Sequence, residues 1–197
     1  MWDERYADPD YAYGTEPNDF LIEQAGLLPK GPILCLAEGE GRNAVWLAQQ
    51  GHAVTGVDAS AVGLDKARRL ASERGVRIET VCSELAHFHI EPGVWAGIVS
   101  IFAHVPPDLR RDLHRRVVDG LRPGGVLLLE AYTPEQLRYG TGGPPVAEMT
   151  MQIALLEEEL AGLEFVTARE LEREIVEGKY HTGAGHVVQL VARKPGA

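Results

Sequence analysis

A glycine turn between two apolar runs is the segment of this sequence that points most clearly to chemistry. Residues 33–37 form a short apolar run, and Gly39 and Gly41 follow it in a Gly-x-Gly-x-x-Ala pattern that opens a helical segment. A second apolar run ends at Asp58. The order of strand, glycine turn, helix, strand and acid predicts a nucleotide-binding βαβ unit. At the tip of the second strand, the Asp58 carboxylate could accept hydrogen bonds from both hydroxyls of a ribose.

Two more carboxylates, Glu38 and Glu40, lie in the same turn and discriminate between cofactors. A dinucleotide places its pyrophosphate against the N-terminus of the helix after the turn, where backbone N–H groups favour anions. At roughly 5 Å and an effective dielectric constant of about 20, each like-charge contact there costs about 3 kcal/mol before screening. S-adenosylmethionine (SAM) has a ribose but no phosphate, and its ammonium and sulfonium groups are cationic. The turn therefore predicts a SAM site rather than an NAD site.

The composition is that of an ordinary globular protein and narrows the partners. The chain has 197 residues, 45% of them hydrophobic, and 19 basic against 29 acidic residues give a net charge of −10. This balance argues against nucleic acid and against an anionic membrane surface, since both need clustered basic residues. No apolar run has membrane length and no signal segment opens the chain, so we expect a cytoplasmic location. Cys35 and Cys82 lie in predicted strands without metal-ligand spacing, so we expect both in the core, with no metal and no disulfide.

Strands alternate with helices along the chain, which predicts an α/β fold. Strands are predicted at 32–37, 53–57, 76–81, 95–102, 126–131, 164–176 and 186–194, and helices at 20–28, 42–50, 60–73, 109–120 and 151–161. We expect one domain over 1–197, built as a Rossmann-like, doubly wound and mostly parallel sheet. Helices should cover both faces, and the last two strands should form a C-terminal antiparallel hairpin.

Several segments resemble known motifs. Leu-Ala-Glu-Gly-Glu-Gly-Arg-Asn (36–43), Val-Asp-Ala-Ser (57–60) and Leu-Arg-Pro-Gly-Gly (121–125) resemble the core motifs of class I SAM-dependent methyltransferases. Trp-Asp-Glu-Arg-Tyr (2–6) and Tyr-Gly-x-x-Pro-Asn (13–18) resemble the tellurite-resistance branch, to which thiopurine-type enzymes are related. The resemblance covers nearly the whole chain. It implies methyl transfer from SAM to a small molecule, with a thiol or chalcogen oxyanion as one acceptor class.

The resemblance also implies roles for residues. Gly39 and Gly41 would lie under the methionine moiety, Asp58 would hold the ribose, and Glu84 and Leu85 would face the adenine. The full set of cofactor-binding residues then reads Tyr13, Gly14, Glu38, Gly39, Glu40, Gly41, Asn43, Asp58, Ala59, Ser60, Glu84, Leu85, Ile101 and Phe102.

His104 follows the predicted fourth strand, at the end where doubly wound folds place ligands. It is the candidate catalytic base for an acceptor that must lose a proton. His181 and His186 flank the glycine-rich turn of the terminal hairpin, where a structural role is favoured over a catalytic one. The basic residues of 110–116 are expected to form a solvated helix face, with His114 on the surface.

Cys35 and Ala37 depart from the family pattern, which usually has Asp and Gly at these positions. Glu38 would then take over the contact to the SAM ammonium.

The first 17 residues are unusually aromatic for a chain end. They include Trp2, Tyr6, Tyr11 and Tyr13. Because disordered segments are poor in aromatic residues, we expect residues 1–17 to form a lid over the bound cofactor, with Gly14 as the joint. Static packing against the fold is the alternative.

Two other functions stay open on the sequence alone. One is an NAD-type oxidoreductase, which the two glutamates of the turn oppose, and the other is a SAM-binding module without catalysis. In each case we expect a small-molecule ligand and a monomer or homodimer.

Overall fold

A seven-stranded sheet organises the computed structural model, which describes residues 2–196. The strands are β1 Pro32–Leu36, β2 Ala53–Asp58, β3 Glu79–Cys82, β4 Trp95–Ile101, β5 Leu121–Tyr132, β6 Glu164–Glu177 and β7 His181–Arg193. Their order in the sheet is β3-β2-β1-β4-β5-β7-β6. Strands β1 to β5 pair in parallel, whereas β7 is antiparallel to both β5 and β6. The predicted mostly parallel sheet with a C-terminal antiparallel hairpin is confirmed.

Helices cover both faces of the sheet, as predicted. They are α1 Trp2–Tyr6, α2 Asp19–Gln24, α3 Arg42–Gln49, α4 Ala61–Glu73, α5 Pro107–Gly120 and α6 Ile153–Glu159, with short 3-10 turns at Ala25–Leu27, Pro134–Arg138 and Ala147–Met149. Along β1, Ile33 and Cys35 pack with α2 and α3, while Leu34 and Leu36 pack with α5 and α6. Central strands that are covered on both faces form continuous apolar runs in the sequence. The sequence predicts β1 and β4 for this reason.

The chain reverses direction of winding between β1 and β4, and this creates the crevice that ligands use in such folds. These neighbouring strands send their connections to opposite sides, β1 through α3 to β2 and β4 through α5 to β5. Ala37, after β1, has a φ of 50°, and Phe102, after β4, has a φ of 53°. A left-handed non-glycine residue costs on the order of 1–3 kcal/mol and is concentrated at functional sites. Both strained positions lie at the topological switch point.

Several elements differ from the sequence expectation. The hairpin is longer, because β7 begins at His181 and pairs with β6 up to Glu177. Gly183 and Gly185 interrupt the alternation of polar and apolar residues that would have predicted this extension. β3 is a short edge strand, so Cys82 is exposed and its expected core position was wrong, whereas Cys35 is buried.

The basic face of α5 also differs from expectation. Arg110 and His114 are buried, not solvated, because Glu159 of α6 accepts from Arg110 Nε and contacts His114 Nδ1 at 2.7 Å. No helix within residues 2–196 has the length and apolar character needed to cross a membrane.

Candidate cofactor and acceptor site

Glu38 occupies the N-terminus of α3. Its Oε1 accepts hydrogen bonds from the backbone N–H groups of Asn43 at 3.1 Å and Ala44 at 2.7 Å. Burial raises the pKa of the Glu38 carboxyl to about 7, against the opposing effect of these N–H groups and of Arg42. The carboxylate therefore uses the N–H groups that a pyrophosphate would bind. This supports the predicted choice of SAM over a dinucleotide.

Asp58 ends β2 beside the glycine turn. Its two oxygens accept from the backbone N–H groups of Gly39 and Ser60, each at 2.8 Å. The side chain is buried, which raises its pKa, and the nearby Glu84 carboxylate acts in the same direction. Ser60 also begins α4, because its hydroxyl accepts from Gly63 N–H. The carboxylate thus lies where the ribose is expected, and the contact of the cofactor with Ala59, between these two residues, stays a prediction.

Gly39 and Gly41, the two glycines of the turn, are explained by different contacts. Gly39 has a φ of 59°, and a Cβ there would lie 2.7 Å from the Tyr6 hydroxyl. Gly41 has a φ of 91°, and a Cβ there would lie 2.6 Å from Ala67 Cβ on α4. Gly39 therefore makes room for the Tyr6 ring, whereas Gly41 is explained by the packing of α3 against α4.

Glu40 and Asn43 anchor the N-terminal segment instead of facing the open side of the turn. Glu40 Oε1 accepts from Lys66 Nζ at 2.7 Å, and its Oε2 accepts from Ala12 N–H at 2.8 Å. Asn43 Oδ1 accepts from Asn18 N–H at 2.9 Å. Because Glu40 is already paired with a buried ammonium, its expected contact with the cofactor is corrected to a structural role.

Glu84 and Leu85, the two residues expected beside the adenine, differ in where their side chains lie. Glu84 is exposed in the loop after β3 and remains a predicted contact. The Leu85 side chain packs in the hydrophobic core, and its carbonyl accepts from Arg116 Nη2 at 2.9 Å. Only the backbone N–H of Leu85 is left for the predicted adenine contact.

Beyond β4, aromatic rings pack against one another. Ile101 is buried, and the Phe102 ring stacks on Tyr132 at a centroid distance of 4.6 Å. Phe102 also meets the His181 ring edge to face at 5.0 Å. These contacts place Phe102 at the β4 end, as predicted.

Both ring nitrogens of His104 form hydrogen bonds with backbone groups. Nδ1 lies 2.9 Å from the Met149 carbonyl, and Nε2 accepts from Tyr132 N–H at 3.2 Å. Burial lowers the pKa of His104 to about 4. The ring is therefore held as the neutral tautomer with the proton on Nδ1. With no free nitrogen, His104 is corrected from a candidate base to a structural residue that ties β5 to the loop at Met149.

The N-terminal segment lies against the glycine turn and α4. The Ser60 hydroxyl donates to Asp3, and Lys66 Nζ donates to the carbonyls of Asp8 at 2.6 Å and Asp10 at 2.8 Å. The Tyr13 hydroxyl accepts from Arg5 Nη1 at 2.9 Å. The joint before α2 has the predicted glycine in the left-handed region, since Gly14 has a φ of 73°.

A buried ionic network between β5, β6 and α3 was missed by sequence reasoning. Glu130 is fully buried and accepts from Arg173 Nε at 2.8 Å and from Asn18 Nδ2 at 2.6 Å. Glu177 accepts from Arg42 Nη2 at 2.6 Å and from Asn18 Nδ2 at 2.8 Å. The single available signal was the charge at Glu130 inside an otherwise apolar strand.

The donor set fits SAM. The carboxylates of Glu38 and Glu84 each lie close to that of Asp58 at one edge of the sheet, and the Tyr6 ring is near Asp58. Carboxylates and aromatic faces are the groups that attract a sulfonium and an ammonium. Among residues 2–196, no group of three or more His, Cys, Asp or Glu side chains could hold a metal ion.

Comparison with known proteins agrees with this assignment. Residues 33–125 match the family model described as a methyltransferase domain. The 2-heptyl-1-hydroxyquinolin-4(1H)-one methyltransferase of Mycobacteroides abscessus is 27% identical over 148 residues, covering 72% of this chain. This chain spans 64% of the length of that relative.

Two solved structures have the same fold. TehB from Haemophilus influenzae has a TM-score of 0.73 at 18% identity, over 98% of this chain and 65% of TehB. The Burkholderia thailandensis 1,6-didemethyltoxoflavin-N1-methyltransferase, bound to 1,6-didemethyltoxoflavin and S-adenosylhomocysteine, has a TM-score of 0.67 at 22% identity. That similarity covers 89% of this chain and 76% of the Burkholderia chain.

Residues 33–125 are thus similar to a methyltransferase domain, and the chain has the fold of TehB and of the Burkholderia methyltransferase. SAM is accordingly the cofactor of this site, and an NAD-type oxidoreductase is set aside.

Proposed function

We propose that this protein methylates a small, planar aromatic acceptor that carries an ionisable O–H or N–H group. The observation that carries the proposal is the cluster of rings beyond β4, where Phe102 stacks on Tyr132 and the Tyr13 ring lies against His181. Aromatic rings favour offset or edge-to-face packing with a flat ligand. The names of two similar proteins support the same class, since a hydroxyquinolone and a toxoflavin precursor are both flat heterocycles.

Bound SAM supplies a methyl group on a positively charged sulfur. The chain's task is to orient the partners and to exclude water, which can contribute ~7–11 kcal/mol of the barrier reduction. We infer that Glu38 faces the cationic end of the cofactor and that Asp58 holds the ribose. Glu84 and the backbone at Leu85 would border the adenine, and Ile101 and Phe102 would border the methyl group.

We also infer that residues 1–17 act as a lid over the cofactor. Tyr6 lies over Gly39, and three polar contacts, from Asp3, Ala12 and Lys66, fasten the segment to the turn and to α4. Limited proteolysis near Gly14 should slow markedly when S-adenosylhomocysteine is added, with NAD at the same concentration as the control ligand. Equal cleavage with and without S-adenosylhomocysteine would support static packing instead.

A soft nucleophile, such as a thiol or a chalcogen oxyanion, is the second candidate acceptor. The observation that favours it is the engagement of both His104 nitrogens by the backbone. A soft acceptor ionises readily and needs little help from a base.

A methyl-transfer assay with SAM distinguishes the two acceptor classes. The panel contains 1-hydroxyquinolin-4(1H)-one, 4-nitrophenol, thiophenol and tellurite, with products followed by mass spectrometry. We expect methylation of the hydroxyquinolone and the phenol, with a raised KM for SAM in Asp58→Asn. Methylation of tellurite or thiophenol alone would select the soft acceptor, and no product with any of them would overturn both candidates.

The remaining partners are proposed from charge. A net charge of −10 disfavours nucleic acid and anionic membranes. We infer a cytoplasmic monomer or homodimer that acts on a small molecule.

A further inference from the structure

Three aromatic rings pack around the His181 side chain, near the position that we propose for the acceptor. His181 is the first residue of β7, opposite Glu177 at the end of β6. Ring centroids of Tyr13, Phe102 and Tyr132 lie 4.7, 5.0 and 5.4 Å from that of His181. The side chain is 14% exposed. The ring therefore borders the same space that the proposed planar acceptor would enter.

Nδ1 of the His181 ring has no hydrogen-bond partner among the described residues, whereas both ring nitrogens of His104 are engaged. Nδ1 is buried and makes no hydrogen bond within residues 2–196. The carboxylate oxygen Oε2 of Glu177 lies 3.8 Å from it, close enough for attraction but beyond hydrogen-bond length. A buried polar atom without a partner is rare in folded proteins and calls for an explanation.

Glu177 is fixed and ionised beside this ring. Arg42 Nη2 and Asn18 Nδ2 donate to its two oxygens at 2.6 and 2.8 Å. Burial acts to raise the pKa of Glu177, but the neighbouring His181 ring and Arg42 outweigh it and hold the pKa at about 2. A carboxylate facing Nδ1 favours the tautomer with the proton on Nδ1, which leaves Nε2 as a proton acceptor.

The other groups that face the His181 ring do not compete for this role. They are the phenols of Tyr13 and Tyr132, both with a raised pKa, and the neutral His104 imidazole. Burial is the main cause of each of these shifts.

We propose that His181, oriented by Glu177, is the base that removes the proton from the O–H or N–H group of the acceptor. This inference rests on the proposed aromatic acceptor. The proton moves to His181 Nε2, the acceptor lone pair forms the new bond to the methyl carbon, and the electrons of the broken C–S bond stay on sulfur. The proton then leaves His181 for solvent, so the products are the methylated acceptor, S-adenosylhomocysteine and one proton.

Optical titration of a bound acid tests the proton transfer without turnover. The probe is 4-nitrophenol, added to the protein with S-adenosylhomocysteine at a pH where the free probe is mostly neutral. The wild type should bind the probe as the yellow phenolate. His181→Gln and His181→Asn should bind it as the neutral phenol, and the exposed His89→Gln should behave as the wild type. Asn matters as a second variant because its amide can still face Glu177 while it lacks a group at Nε2.

The outcomes separate this inference from the proposed function. Equal phenolate absorbance in His181→Gln, a neutral bound probe in the wild type, or no binding of the probe would each overturn the role of His181. Folding of each variant is checked by its thermal unfolding and its affinity for S-adenosylhomocysteine, which should be unchanged. In the assay of the acceptor panel, His181→Gln should reduce turnover of the phenol by about 10²- to 10⁴-fold. Failure of that panel with intact probe ionisation would overturn the proposed reaction and leave His181 as the proton acceptor.

Discussion

The raised pKa of Glu38 predicts that SAM binding releases a proton. The folded, ligand-free protein holds this carboxyl at a pKa of about 7, chiefly through burial, whereas an exposed glutamate titrates near 4.5. A cation placed beside the carboxylate favours its charged form and lowers the pKa again. At pH 6, a group of pKa about 7 is about nine-tenths protonated, so binding should release close to one proton.

The raised pKa of Glu38 also sets the direction in which SAM affinity changes with pH. Below pH 7 the carboxyl must lose its proton to meet the cation, so affinity should rise about tenfold per pH unit toward pH 7 and level off above it. Stability of the ligand-free protein runs the other way. The folded state binds this proton more tightly than the unfolded state, so the contribution of Glu38 to the free energy of unfolding should fall by about 3 kcal/mol as pH rises from 4.5 to 7.

Isothermal calorimetry in buffers of different ionisation enthalpy counts the released proton. Glu38→Gln is the matched variant, because the amide oxygen can still accept from Asn43 and Ala44 N–H but has no proton to lose. It should bind SAM without a buffer-dependent heat. No proton release in the wild type, or an equal release in Glu38→Gln, would refute the reasoning. The second outcome would assign the proton to Asp58, whose pKa burial also raises.

Three further outcomes follow from the site. Asp58→Asn should weaken SAM binding by about 1.5–3 kcal/mol, because a charged hydrogen-bond acceptor is lost; unchanged affinity in calorimetry would place the ribose elsewhere. Lys66→Met should lower the free energy of unfolding by about 3–5 kcal/mol, since it leaves Glu40 buried and unpaired. Urea unfolding measures this, with Arg68→Met of an exposed pair as the control expected below about 1 kcal/mol; equal effects of the two would contradict the anchoring role. Treatment with a chelator should leave SAM affinity unchanged, and its loss would reveal a metal that the sequence does not predict.

The sequence predicts the centre of the sheet and the cofactor turn because both depend on local patterns. β1 and β4 are short apolar runs bounded by turns, and the placement of Glu38 and Asp58 follows from the strand ends that carry them. The predicted start of the helix at residue 60 is confirmed for the same reason, because the Ser60 hydroxyl accepts from Gly63 N–H within the first turn. Local spacing is enough to specify such features.

The acceptor end of the site depends on contacts between residues far apart in the chain. His104 Nδ1 is hydrogen-bonded to the carbonyl of Met149, 45 residues away, and no pattern near His104 predicts that bond. The carboxylate beside His181 is held by Arg42, 135 residues before Glu177. The glycines of β7 likewise concealed that the hairpin extends over the crevice. Sequence reasoning therefore chose the histidine after a central strand, while the free ring lies on the hairpin.

Competition between cofactors tests the central assignment most directly. Calorimetric titration of the wild type with SAM, S-adenosylhomocysteine and NAD compares ligands that share a ribose and an adenine but differ in phosphate and in positive charge. Because Glu38 takes the N–H groups of α3 that a pyrophosphate needs, SAM and S-adenosylhomocysteine should bind and NAD should give no heat of binding. Micromolar binding of NAD together with no binding of SAM would contradict the account.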